Sequence, residues 1–193
     1  MKKGLFVALG IIVLMVLMGG CTYNGMNRTH KEAQQRWADV QSSYQRRADL
    51  IPNLVATVKG VADFEKTTLT QVIQARASAT SIKVDPSDLT PAKLQQFQQS
   101  QGQLSAALGR LMVVSERYPE LKANENFKDL QSQLEGTENR IKVSRDAFNE
   151  AVKVYNVKIT NFPNVLLAGM FNFKEMSMFE AEQGAEKAPK VEF

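Results

Sequence analysis

Residues 46–55 read RRADLIPNLV. Two arginines and an aspartate run into leucine and isoleucine, and Pro52 then interrupts a segment whose apolar residues recur at helical spacing. An interior proline deletes one backbone hydrogen bond and clashes with the preceding turn, which costs about 3 kcal/mol. In the first turn of a helix it costs little, because those N–H groups lack intrahelical partners anyway. Two readings therefore stay open. In one, Arg46 and Arg47 close a first helix, Asp49 caps a second, and the charges suit both helix dipoles. In the other, one long helix carries Pro52 through a kink. The charge order suits a helix–helix junction and the unbroken stripe suits one long kinked helix; a break or sharp kink is the expectation.

Outward from this stretch the helical rhythm is strong. Met26, His30, Ala33, Trp37, Val40 and Tyr44 fall on one stripe, which continues through Ile51, Leu54, Val58 and Val61 with Arg47 as its misfit. Leu69, Val72 and Ile73 extend an apolar face towards Ile82. Residues 83–91, KVDPSDLTP, mark a boundary, with Thr90 as N-cap and Pro91 at the first helical position of the next helix. Leu94, Phe97, Leu104, Leu108 and Leu111 form its stripe, with Gln101 filling one place. Phe127, Leu130, Leu134, Ile141, Phe148, Tyr155 and Ile159 mark a last long helix, and Thr137 and Ser144 complete its stripe.

No alternating strand pattern with a hairpin turn interrupts this order. Helices joined by short turns must bury their stripes against one another. The expected fold is all-α: an antiparallel up-and-down bundle of three to four long helices, spanning residues 22–161, with an N-terminal membrane segment.

That segment is MKKGLFVALGIIVLMVLMGGC, residues 1–21. Gly4 to Gly20 carries no charge and makes a helix of roughly 25 Å, the lower edge of what spans a bilayer. Met18-Gly19-Gly20-Cys21 is similar to a bacterial lipobox, in which the cysteine is lipidated and becomes the new N-terminus. Lipidation at Cys21 and a permanent transmembrane helix both stay open, and either holds the chain at a membrane. A working lipobox would place the body outside the cytoplasm.

The formal net charge is +4, but without Lys2 and Lys3 the count is 22 basic against 20 acidic residues. There is no Lys/Arg block with interleaved aromatics, which argues against a nucleic-acid partner. Cys21 is the only cysteine and His30 the only histidine. An intramolecular disulfide and a zinc site built from several Cys or His ligands are therefore excluded. No cofactor is expected. His30, on the apolar stripe, reads as a packed or edge histidine. Glu116, Glu135, Glu138 and Glu150 are the carboxylates available for acid–base work, but at their positions they read as solvated helix faces, so no enzyme is expected.

Residues 162–179, FPNVLLAGMFNFKEMSMF, stand apart, with eleven apolar residues in 18 and four of the ten phenylalanines. They suit folding back over one end of the bundle, or a partner or membrane-interface contact. Phe171, Phe173, Met176 and Phe179 are the candidate partner surface. Residues 180–193 read as a disordered tail.

Together these segments resemble the LemA family from about Tyr23 to Phe179. The resemblance is carried by Tyr23-Asn24, by Trp37 with Val40 and Gln41, and by Arg46 to Leu54 followed by Val58-Lys59-Gly60. Leu134 to Ile141 is similar to a second block of that family. Ser144-Arg145, Phe148 to Val152, Tyr155-Asn156 and Phe162-Pro163 are similar to a third. The anchor departs from it, since many relatives carry a plain transmembrane segment without a cysteine. The resemblance implies a membrane-anchored bacterial helical bundle and supplies no established catalytic residues. The functional expectation is an envelope interaction or scaffold protein with a protein partner. The alternative is a module binding lipid or another envelope ligand.

Overall fold

The computed structural model describes residues 2–60 and 64–180, apart from some side chains between residues 2 and 18. The described residues form helices and no strands: α1 (Lys2–Lys59), α2 (Lys66–Ser81), α3 (Pro91–Ser115), α4 (Pro119–Ala123), α5 (Glu125–Thr160) and α6 (Asn164–Met170). The four long helices run up, down, up and down. The register of α1 against α5 is fixed by three contacts, Arg47 with Glu138, Trp37 with Phe148 and His30 with Tyr155. Each step back along α1 is matched by one step forward along α5.

The expected interruption at Pro52 does not occur, because α1 continues through it to Lys59. Asp49 lies inside the helix, where its Oδ1 accepts from Gln45 Nε2 at 2.7 Å. The reason lies on α2. Pro52 has no N–H to offer the carbonyl of Ala48 four residues earlier. Arg76 Nε donates to that oxygen at 2.8 Å instead. A helix defect on α1 thereby becomes a link between α1 and α2.

Local sequence sets the other helix starts. Thr90 Oγ1 accepts from Lys93 N at 3.4 Å with Pro91 at the first position, and Asn124 Oδ1 accepts from Phe127 N at 3.2 Å. Such caps satisfy amides that have no partner within the helix.

The interior divides into two apolar layers. The layer nearer the N-terminus gathers Met26, Trp37, Val40, Phe97, Phe148 and Tyr155. The other gathers Ile51, Leu54, Leu69, Leu104, Leu111 and Phe127. Between them lies Arg47, only 1% exposed. Its guanidinium donates to Glu138 Oε1 at 2.5 Å, Ser105 Oγ at 2.7 Å and Gln101 Oε1 at 2.8 Å. Gln101 Nε2 passes the chain of bonds on to the Ala79 carbonyl at 3.1 Å. One polar layer thus ties all four long helices at a single level. Burying a charge in this way is tolerable only because the guanidinium is paired and hydrogen-bonded.

Residues 2–21 do not form a separate element, since α1 runs through them into the bundle. Among the described residues no helix is long and apolar enough to cross a membrane. Nine of the 17 side chains of residues 4–20 lie outside the described residues, and the expected membrane segment falls largely on them. Residues 181–193, most of the expected tail, lie outside them too.

Candidate functional site

The segment after α5 has two parts with opposite fates. The first, around α6, packs on the N-terminal end of the bundle. It closes with Asn172 in the left-handed region at φ 58°, while Phe173 N donates to the Ala168 carbonyl at 2.9 Å and Asn172 N to that of Gly169 at 3.4 Å. This paired closure is the Schellman motif, and asparagine tolerates its left-handed position better than most residues. The chain then turns back along α5 as an extended strap.

Asn149 and Asn156 hold that strap. They are seven residues apart on α5, two helical turns, and so share a face. Asn156 Nδ2 donates to the Met176 carbonyl at 2.8 Å, and its Oδ1 accepts from Met176 N at 2.9 Å. Asn149 treats Phe179 in the same way, at 3.1 and 2.9 Å. Tyr155 Oη donates to the Lys174 carbonyl at 2.8 Å. The Arg145 guanidinium lies 4.7 Å over the Phe179 ring, and Phe179 stacks on Trp37 with centroids 5.8 Å apart.

These contacts correct part of the expected partner surface. Met176 and Phe179 are 8% and 6% exposed. The asparagine clamps turn the two side chains into the core, where Trp37 and Phe148 cover the Phe179 ring. Neither is available to a partner. Phe173 is half-buried against Tyr23 and His30, and Phe171 stays exposed.

What remains exposed clusters around α6. Phe162, Leu166 and Met170 are 81%, 64% and 77% exposed. The spacing of four puts Leu166 and Met170 on one helix face, with Phe162 just ahead of it. α5 ends at Thr160, and the rings of Phe171 and Phe173 bring the segment after it against Tyr23 on α1. The Phe171 ring meets Tyr23 edge-on at 4.9 Å. Cys21, exposed, is less than one helical turn away on α1. Gly25 faces the Lys158 side chain, 3.2 Å from where a Cβ would stand.

Nearby, a groove of about 420 Å³ runs between the 86–91 loop and residues 172–176, with His30 and Tyr155 in its wall. Burial pushes His30 below the ordinary imidazole range and the Tyr155 hydroxyl above the ordinary phenol range. The four glutamates considered for acid–base work go to different partners. Glu138 pairs with Arg47, Glu116 with Lys122 at 2.6 Å, Glu150 with Lys153 at 3.7 Å, and Glu135 accepts from Gln131. Among the described residues no group of three or more His, Cys, Asp or Glu could hold a metal ion. Gln101, Thr137 and Ser144 are buried, and the two hydroxyls bond back to their own helix at Leu134 and Ile141.

Sequence reading missed Arg76, and it placed Asn149 and Asn156 in a family-like block without seeing their role as clamps. The two asparagines left a signal, a polar pair at a seven-residue interval beside an apolar stripe. Arg76 left none.

The sequence model of the LemA family matches residues 36–193. The chain is similar to magnetosome protein MamQ of Magnetospirillum gryphiswaldense, 25% identical over 183 residues, which cover 85% of this chain and 66% of that protein. It is also similar to magnetosome protein MamQ 2 of Paramagnetospirillum magneticum, 34% identical over 85 residues, or 44% of this chain and 31% of that one. Protein LemA of Metamycoplasma hominis is 24% identical over 160 residues, 83% of this chain and 69% of the relative. The chain therefore spans just under two-thirds of the first of these proteins and less than a third of the second.

Proposed function

This chain belongs to the LemA family, and from that premise we propose that it is a membrane-anchored, non-catalytic helical bundle serving as an interaction or scaffold protein of a bacterial envelope. The observation that carries this reading is one of placement. The exposed apolar side chains around α6 adjoin Tyr23 through Phe171 and Phe173, on the same helix that carries the uncharged run Gly4 to Gly20. Anchor and contact surface therefore share one end of the bundle. Dispersal of the glutamates among separate partners supports a non-catalytic role.

The test is photocrosslinking in cells from a benzophenone side chain at Phe171, with mass spectrometry of the adduct and of the mature N-terminus. The expected result is a membrane-bound chain crosslinked to an envelope component. Recovery of a freely soluble chain with no adduct beyond that from Val113, exposed at the opposite end, would contradict the reading.

The groove beside His30 favours a second reading, a module that binds lipid or another envelope ligand. A small molecule copurifying with the chain, and lost when Tyr155 and His30 are replaced by alanine, would support it.

A further inference from the structure

The exposed end around α6 has a charge pattern that its packing leaves unexplained. From Ile159 to Phe173 there is no acidic or basic residue, and Lys158 and Lys174 flank that interval directly. On α1 the uncharged run likewise extends from Gly4 past Cys21 to Asn27, and Arg28 and Lys31 follow. The α1–α5 register brings the two boundaries together, with Lys158 beside Gly25. One end of the molecule is therefore uncharged, with Phe162, Leu166, Met170, Phe171 and Tyr23 exposed. Lys158, Lys174, Arg28 and Lys31 stand immediately behind it, ahead of the first acids on α1 and the strap, Glu32 and Glu175. Asp88 of the neighbouring loop lines the groove beside Lys174 and is paired with Lys93.

Apolar and aromatic side chains below a rim of cations is the pattern of a surface that rests in the headgroup zone of a bilayer. Lysine and arginine stems can lie along such a surface while their charges reach lipid phosphates. We propose that α6 is a second membrane contact, a foot seated in the leaflet that holds the anchor, with the cations favouring anionic lipid. This rests on the anchoring reading above, and it holds for either form of anchor. A lipidated Cys21 would put Tyr23 and Phe171 at the membrane surface, as would a membrane-spanning helix ending near Gly20. With two contacts the bundle stands fixed on the membrane instead of swinging from a single point.

The experiment reconstitutes the full chain carrying Met170→Trp into phosphatidylcholine–phosphatidylglycerol vesicles, with and without bromine on the upper acyl carbons. Leu166→Trp is a second probe, and Val113→Trp is the control at the far end. Trp37, fully buried in the bundle, adds the same background to all three. An interfacial side chain sits about 5–10 Å into the headgroup–acyl boundary, within reach of bromine on the upper acyl carbons, so emission from the α6 probes should fall in brominated vesicles. The control should not change, and quenching should weaken when phosphatidylglycerol is omitted. If the chain floats with the vesicles but the α6 probes are quenched no more than Val113→Trp, the foot is refuted and the anchor stands. If the chain does not float at all, the anchoring reading itself fails.

Discussion

Arg76 Nε donates at 2.8 Å to the carbonyl of Ala48, the acceptor that Pro52 cannot serve. Proline inside α1 is thus matched by an arginine 24 residues further along the chain, on a different helix. Leaving a buried carbonyl unpaired costs about 1–3 kcal/mol, so Arg76→Ala should destabilise the bundle by that order. In a Pro52→Ala background the backbone N–H returns to Ala48, and the same substitution should cost measurably less. Urea unfolding of the four variants of this cycle gives the coupling. Additive costs would separate Arg76 from Pro52.

Arg47 of α1 bonds to α3 and α5 and reaches α2 only through Gln101, and removing it strands polar groups between two apolar layers. Arg47→Ala should cost about 1–3 kcal/mol, the range for leaving a buried polar group such as Gln101 without its partner, because Glu138 is half-exposed and regains water. Arg47→Lys should also lose stability, since a single ammonium cannot reproduce the guanidinium fork. Chemical denaturation monitored by circular dichroism measures both, and a loss below about 1 kcal/mol for the alanine variant would show the layer to be dispensable.

Much of the fold was legible beforehand because a helical stripe needs only a period, and the stripe residues from Met26 to Val58 are buried apart from half-exposed His30. Arg47 already stood out as the misfit in the pattern. Its partners did not, because Gln101, Ser105 and Glu138 lie 54 to 91 residues away and only packing brings them together. Continuity at Pro52 was hidden for the same reason. Local rules assign the proline a penalty, and the compensation comes from another helix. Within 162–179, hydrophobicity marked the segment but could not divide it. The backbone clamps at Asn149 and Asn156 decide that Met176 and Phe179 turn inward while Phe162 and Met170 stay outside.

The asparagine clamps make the strap separable from the bundle. Asn156→Ala should release Met176, and Asn149→Ala should release Phe179, each losing about 1–2 kcal/mol of local stability. Amide hydrogen exchange should then lose protection at residues 174–180 while α1 and α5 keep theirs. Global loss of protection in either variant would mean that strap and core unfold as one unit.

His30 gives the bundle a pH dependence of predictable sign. Burial lowers its pKa from 6.5, so the proton binds less readily to the folded chain than to the unfolded one. The associated stability is complete above about pH 6.5 and is lost as pH falls through the lower folded-state value. Asp85 is also held low, by hydrogen bonds from Ser87, but its ordinary value of 3.8 puts its effect in a more acidic window. Thermal unfolding between pH 7 and 5 should show a loss of stability that His30→Gln flattens. Equal slopes in the two proteins would rule out His30 as the source.

Vesicle flotation of the intact chain at high salt, with the N-terminus read by mass spectrometry, tests the attachment on which the function depends. The chain should rise with the lipid, whether it begins at Met1 or at a lipid-modified Cys21. Full-length protein left at the bottom of the gradient, with residues 1–20 still in place, would contradict it.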